Sequence, residues 1–291
     1  MPWLVRRDQI LLSLQGGLGN QLFEWAFAKA LSDAGRDVLI DHVRCRGDRP
    51  LAVGPLVPPA QRLSRPSGLA LALAHKTGLI NDSSSLRLVK QRVSGFDPSV
   101  AERLGGTSYL LGYFQSPHYF EGAAGAVRSE VTGLLRTMLS PSGLELAHRL
   151  ENDERSVAIH VRRGDYVSDP DAAVRHGVLG GDYYDRALAH LEATGARTKV
   201  WFGDDPEWIR ENLAGAGDLI CPADAAIADG GEIALMAACA SRVIANSSFS
   251  WWAGWLGRPS TAEHPVIAPL IWFADGHSDA SDLVPADWLR L

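Results

Sequence analysis

Cysteine is scarce in this chain. Its 291 residues hold three, at Cys45, Cys221 and Cys239. None forms a CxxC pair, and an odd count builds no disulfide framework. Free thiols in a reducing compartment are the expectation. No HExxH run and no Cys/His cluster with zinc spacing occurs, so a structural or hydrolytic zinc site is not expected. Basic excess is also missing: the formal net charge is −6. That disfavours nucleic acid as a partner. No apolar run reaches the roughly 18–20 residues of a membrane span. Pro2 to Asp8 lacks the pattern of a signal peptide. The expected location is cytoplasmic, with peripheral contact at the inner membrane left open. Repeats and low-complexity tracts are absent, and nothing in the sequence fixes the oligomeric state.

What is present is an alternation of apolar runs and helical spacings. QILLSL at 9–14 reads as a buried strand. Gln15-Gly16-Gly17-Leu18-Gly19-Asn20 follows as a loop. Leu22, Phe23, Ala26, Phe27, Ala30 and Leu31 then recur at helical spacing, and DVLID at 37–41 reads as a second strand. This is a parallel βαβ unit. The stretch 42–100 is proline-rich and irregular, and is read as mixed loops and short helices where an acceptor surface would sit. Strands are expected at 108–114, 156–161, 198–202 and 242–245. Helices are expected at 121–139, from Pro141 to Glu151, and at 182–193, 206–213 and 231–240, with another from near Ser250. Asp205 is a candidate N-cap with Pro206 as the first helical residue. The fold class is α/β, two nucleotide-fold halves meeting near 140–155.

Ligands of open α/β sheets bind beyond the carboxyl ends of strands. Three polar clusters sit there: Arg162 with Arg163, Asp204 with Asp205, and Asn246-Ser247-Ser248-Phe249. Adjacent guanidinium groups match phosphate oxygens bidentately. A nucleotide-sugar donor needs such cations where its diphosphate gains charge. A salt bridge from one arginine to Asp165 is the structural alternative. Backbone amides at a helix start, with the hydroxyls of Ser247 and Ser248, offer an anion site; an ordinary N-cap serine is the alternative. Trp251, Trp252 and Trp255, at helical spacing, read as core. Glu232 opens a helix, which the dipole alone would favour; its functional reading is acceptance from a guanine edge.

Two further motifs are weaker. Gly17-Leu18-Gly19 resembles a dinucleotide fingerprint, but Leu22 occupies the third glycine position. With Asp41 at the end of the next strand, it keeps an NAD-type oxidoreductase as an alternative. Asp169-Pro170-Asp171 spells DxD, which can hold a divalent cation but shows only two ligands.

Taken together, these residues resemble the bacterial α-1,2-fucosyltransferases of glycosyltransferase family 11. The matching segments are GGLGNQLF at 16–23, HVRRGDYV at 160–167, WFGDDPEWIREN at 201–212 and LMAACASRVIANSSFSWWAGWL at 235–256. VIAP at 266–269 and the terminal PADWLRL fit as well. The resemblance implies a GT-B-like fold of two Rossmann-like domains facing a cleft: 1–150 on the acceptor side and 151–291 on the donor side. It implies inverting, metal-independent transfer of L-fucose from GDP-β-L-fucose to a galactoside hydroxyl of a glycan acceptor, with an α-1,2 linkage and no cofactor. It assigns Arg162 to the donor phosphate, His160 and Glu232 to the nucleotide, and Ser247, Ser248 and Phe249 to the phosphate loop. Arg163, Asp204, Asp205 and Asn246 join them as donor-site candidates. Gly17, Gly19, Asn20 and Gln21 are candidates in the glycine loop. Asp165 and Asp169 are the nearest candidates for a base, with none assigned. The chain departs from the pattern at Glu24-Trp25, commonly Gln-Tyr, and at Gly203, commonly serine. Transfer from another GDP-sugar or to another position, and a non-catalytic GDP-sugar or glycan-binding module, are the competing readings.

Overall fold

A computed structural model describes residues 8–164, 173–174, 177–276 and 278–291. The chain divides into two compact units. The first comprises residues 1–131 with 281–283, the second 132–280 with 284–291. The division falls inside a helix, earlier than the break expected near 150. The physical reason is the helix Pro141–Glu151, which packs on a helix of the second unit.

The first unit is built on a parallel sheet. Strand β1 (Gln9–Ser13) is buried at every residue and lies between β2 (Asp37–Asp41) and β4 (Thr107–Leu111). Both its faces are covered, so it reads as a continuous apolar run rather than an alternation. Helix α1 (Leu18–Asp33) joins β1 to β2, giving the expected βαβ unit. Gly16 precedes it at φ +74°, where a Cβ would lie 2.6 Å from Asn20 Nδ2; only glycine suits both conditions. Helix α2 (Arg65–Lys76) starts at Ser64, whose Oγ accepts from Ser67 N. It buries Gly68, Leu71 and Ala74 against the sheet. Strand β3 (Leu86–Lys90), within the region read as loops and short helices, forms the outer strand beside β4. Helix α3 (Ser99–Arg103) precedes β4, and α4 (Ala124–Arg136) follows it. The strand order is β2-β1-β4-β3, all parallel.

In the second unit, α5 (Pro141–Glu151) leads into β5 (Ser156–Val161), again buried throughout. Then come α6 (Gly181–Ala193), β6 (Thr198–Gly203), α7 (Pro206–Asn212), β7 (Leu219–Ile220), α8 (Gly230–Ala238), β8 (Ser241–Val243), α9 (Ser248–Leu256), β9 (Val266–Ala268) and β10 (Leu289–Arg290). The six strands are parallel, in the order β10-β9-β8-β5-β6-β7. The chain runs outward from β5 to β7, then returns through α8 to place β8 on the other side of β5. The strand order therefore reverses between β5 and β8. Trp251 and Trp252 are wholly buried, with ring centroids 5.2 Å apart, and Trp255 and Trp288 pack on Trp251. Trp251 and Trp252 are core, as their spacing indicated, while Trp255 is only half-buried. Each unit is a helix-flanked parallel sheet, the α/β class expected.

Candidate active site

The reversal between β5 and β8 marks where an open parallel sheet leaves a crevice at its carboxyl edge. The polar clusters picked out by sequence follow β5, β6 and β8, so topology alone brings them to that edge. Register does the finer placement. Val161 on β5 faces Gly203 on β6. One step further along each chain stand Arg162 and Asp204. Arg162 Nη1 lies 2.8 Å from Asp204 Oδ2, with each side chain about a quarter exposed. The other carboxylate oxygen accepts from the backbone N–H of Arg163 at 2.9 Å. Asp204 thus grips both arginines, one by its side chain and one by its backbone. Two glycines permit this close approach. A Cβ on Gly164 would lie 2.6 Å from Asp204 Oδ2, and one on Gly203 would lie 2.5 Å from the carbonyl oxygen of Val161. Gly203, where the resembling sequences commonly carry serine, has no room for a side chain.

Arg163 is directed elsewhere. Its guanidinium carbon sits 3.9 Å over the ring of Trp208, and its Nε lies 3.6 Å from Asp205 Oδ2. A cation over an indole face is attracted by the ring quadrupole. Asp205 also caps α7, as its place before Pro206 indicated: Oδ1 accepts from Trp208 N at 3.1 Å. The two guanidinium groups therefore lie against different carboxylates. The salt bridge considered from sequence involved Asp165, which lies outside the described residues, as do Asp169 and Asp171.

Behind the arginines, His160 is 3% exposed. Burial, with Arg162 adding positive charge nearby, pushes its imidazolium down to about 3, so the ring is neutral near pH 7. It lies 5.7 Å from the ring of Phe249. Its carbonyl accepts from the hydroxyl of Tyr184 at 3.2 Å. Across the strand reversal, Ser247 caps α9 by accepting from Phe249 N at 3.3 Å. Helix α9 begins at Ser248, two residues before the expected start, so its first turn lies at the sheet's carboxyl edge. Asn246 is buried and donates to the carbonyls of Gly177 and Trp272 at 3.4 and 3.3 Å. That anchors the loop from within. Glu232, in the first turn of α8, is half-buried. Burial first, then Asp229 and Asp204, raise its carboxyl to about 7. The dependence on Asp204 places it in the same electrostatic neighbourhood as Arg162.

The glycine loop belongs to the first unit. Gly17 is the N-cap position of α1 and Gly19 lies buried in its first turn. Asn20, in the first turn of α1, accepts from Gln115 Nε2 at 2.7 Å, joining that helix to the loop after β4. Gln21 is fully buried: Nε2 donates to the carbonyls of Gly16 and Pro50, and Oε1 accepts from Ala52 N at 2.9 Å. It clasps the 50–52 segment to α1. Glu24, at one of the departures, is also fully buried. Burial holds its carboxyl well above the usual range, while one oxygen accepts from Gln15 N at 2.8 Å.

The structure thus brings together His160, Arg162, Arg163, Asp204, Asp205, Glu232, Ser247 and Phe249. Sequence reasoning missed Trp208 and Tyr184. An aromatic residue one turn into the helix that follows Asp204 was the available signal for Trp208. Among the described residues no group of three or more His, Cys, Asp or Glu side chains is arranged to hold a metal ion. All three cysteines are free, and burial raises each thiol to about 12. No helix among the described residues is long and apolar enough to cross a membrane.

The family model for glycosyl transferase family 11 matches residues 101–289, nearly two thirds of the chain. The chain belongs to glycosyltransferase family 11. As a family 11 glycosyltransferase it is fucosyltransferase-like. It is 26% identical to an α-1,2-colitosyltransferase of Escherichia coli, over 97% of this chain and 98% of that relative. It is 32% identical to the E. coli O-antigen biosynthesis glycosyltransferase WbnK, over 47% of this chain and 44% of the relative. It is 29% identical to a galactoside 2-α-L-fucosyltransferase of Caenorhabditis elegans, over 50% and 41% of the two chains. The match thus spans less than half the length of two of these relatives and nearly all of the third. The family match covers β5 to β9, the strands that carry the arginine pair and the α9 loop.

Proposed function

We propose that this family 11 glycosyltransferase transfers L-fucose from GDP-β-L-fucose to a galactoside hydroxyl, with inversion, forming an α-1,2 linkage. The observation that carries the reading is the convergence, at the strand reversal, of Arg162 held by Asp204 and the capped N-terminus of α9. A diphosphate seated there meets a guanidinium from one side and helix-end amides from the other. The acceptor oxygen forms its bond to the anomeric carbon as the bond to the β-phosphate oxygen breaks. The electron pair leaves on the diphosphate, and Arg162 stabilises the charge that grows there. Arg163 contributes to the local potential from its place over Trp208. Glu232 accepts from N–H groups of the guanine when ionised, and neutral His160 lines the nucleotide side with Phe249. The acceptor's proton leaves to a base that is not assigned; Asp165 is the candidate nearest in sequence. No metal is required, since the arginine and the helix end supply the positive potential.

Arg162→Ala tests this. Transfer should fall by at least about 10²–10³-fold, with the thermal midpoint little changed. Turnover near the wild-type rate would refute the donor role. Activity should survive a chelator; complete loss that Mn²⁺ restores would instead support the DxD reading. The full-length match to a colitosyltransferase supports a second reading, with colitose as the transferred sugar. Competition between fucosyl and colitosyl donors on one galactoside acceptor separates the two. Donor binding without turnover on any acceptor would mark a binding module.

A further inference from the structure

Helix α2 packs on the first sheet with one face and leaves the other uncovered. Leu69 and Leu73, one turn apart on that outer face, are 55% and 64% exposed, and Leu79 just beyond is 71% exposed. These are large apolar groups in water, on a helix with enough small apolar residues to form its core face without them. Arg65 stands one turn before Leu69, and Lys76 less than one turn after Leu73; both are exposed. Lys90, on the outer strand β3, lies near His75 at the end of α2 and is exposed too. None of Arg65, Lys76 and Lys90 is ion-paired among the described residues. The imbalance extends along the sequence. Between residues 60 and 92 stand six Lys and Arg and one acid, Asp82, in a chain of net charge −6. Helix α2 itself carries no acid.

We propose that the outer face of α2 is a docking surface for an anionic phospholipid bilayer. A helix lying in the interface buries its leucines at the headgroup boundary while its cations meet anionic headgroups. Arg65 and Lys76 bracket the leucine stripe, and long basic side chains reach from such a stripe to phosphates. The charge also argues against self-association through this face. A two-fold contact sets the patch against its own copy, bringing cations against cations. The stripe is short, about 18 Å for twelve residues, so the contact is reversible. The proposal does not depend on which sugar is transferred.

Co-sedimentation with vesicles tests it. With phosphatidylcholine vesicles containing about one third phosphatidylglycerol, the whole protein should sediment at low salt and be released at about 0.5 M salt, where surface charges are screened. With phosphatidylcholine alone it should stay in solution. Arg65→Gln with Lys76→Gln should weaken binding about 25-fold, roughly fivefold for each charge. Leu69→Ser with Leu73→Ser should weaken it by at least about tenfold. All four positions are exposed, so thermal midpoints should stay within about 2 °C of wild type. Failure to bind anionic vesicles, or binding that neither pair weakens, overturns the proposal. So does a lipid-free oligomer that the serine variant dissociates, because the face would then be covered by a second copy. Equal binding to neutral and anionic vesicles would also overturn it.

Discussion

Asp204→Asn isolates one contact. In the native protein, one oxygen of Asp204 lies 2.8 Å from Arg162 Nη1 and the other accepts from Arg163 N. An asparagine keeps an oxygen for the backbone bond and turns an amide N–H₂ toward Arg162. The guanidinium loses its charged partner and swings free. A charge-assisted hydrogen bond contributes about 1.5–3 kcal/mol. With both side chains a quarter exposed, solvent screening trims this to about 1–2 kcal/mol, a factor of roughly 5–30. We expect kcat/KM for the proposed fucosyl transfer to fall by that factor, with the fold retained by circular dichroism. The decisive measurement is a double-mutant cycle on transfer rate and on GDP affinity by calorimetry. The proposed role of Asp204 is to position Arg162, so Asp204→Asn with Arg162→Ala should be no worse than Arg162→Ala alone. Additive losses would refute the reasoning, and so would an Asp204→Asn enzyme within twofold of wild type.

Gly203→Ala forces a Cβ to 2.5 Å from a backbone oxygen of β5; it should cost about 1–3 kcal/mol, seen as a thermal midpoint lower by several degrees. Glu232 has its carboxyl raised to about 7, so ionised Glu232 predominates above that pH. GDP affinity by calorimetry should therefore rise from pH 6 to pH 8, and the rise should vanish in Glu232→Gln; a parallel rise in both proteins would remove the carboxylate from the nucleotide site. Glu24 has its carboxyl raised by burial. A raised acid favours the folded state most below its unfolded pKa, and that contribution is lost as pH rises. Glu24→Gln should be nearly neutral at pH 5 and stabilising at pH 8.5, read as a midpoint difference that widens with pH at about 2–4 °C per kcal/mol. A constant difference would show that Glu24 is ionised throughout.

The strands covered on both faces were legible because burial writes them as plain apolar runs; β1 and β5 are examples. Strand β3 escaped because only Val89 among its five residues is buried, so a sheet edge reads like a loop. Helix α2 lies in a proline-rich stretch whose prolines mark its start rather than forbid it. The break expected near 150 moved because α5 has its packing partner, α8, far along the chain. At the site, residue types were legible and partners were not. The arginine pair, the Asp205 cap and the serine cap stood in the sequence. That Asp204 takes Arg162 follows only from the pairing of Val161 with Gly203, a register no local pattern fixes. Likewise, Gln21 stood in the sequence as a glycine-loop candidate, but nothing there shows that two of its three hydrogen bonds go to the 50–52 segment and one to the carbonyl of Gly16.

The guanidinium of Arg163 over Trp208 carries an experimental consequence. Seven of the nine tryptophans belong to the second unit, so intrinsic fluorescence reports chiefly on that unit's unfolding. Within that signal Trp208 carries a cation 3.9 Å from its ring centroid. Indole emission responds to nearby charge, so an anion that draws Arg163 off the ring would shift it. Replacing Trp208 with phenylalanine would identify its share of the spectrum. A ligand that moved Arg163 would then be titratable by the intrinsic fluorescence of Trp208, without a label or a coupled assay.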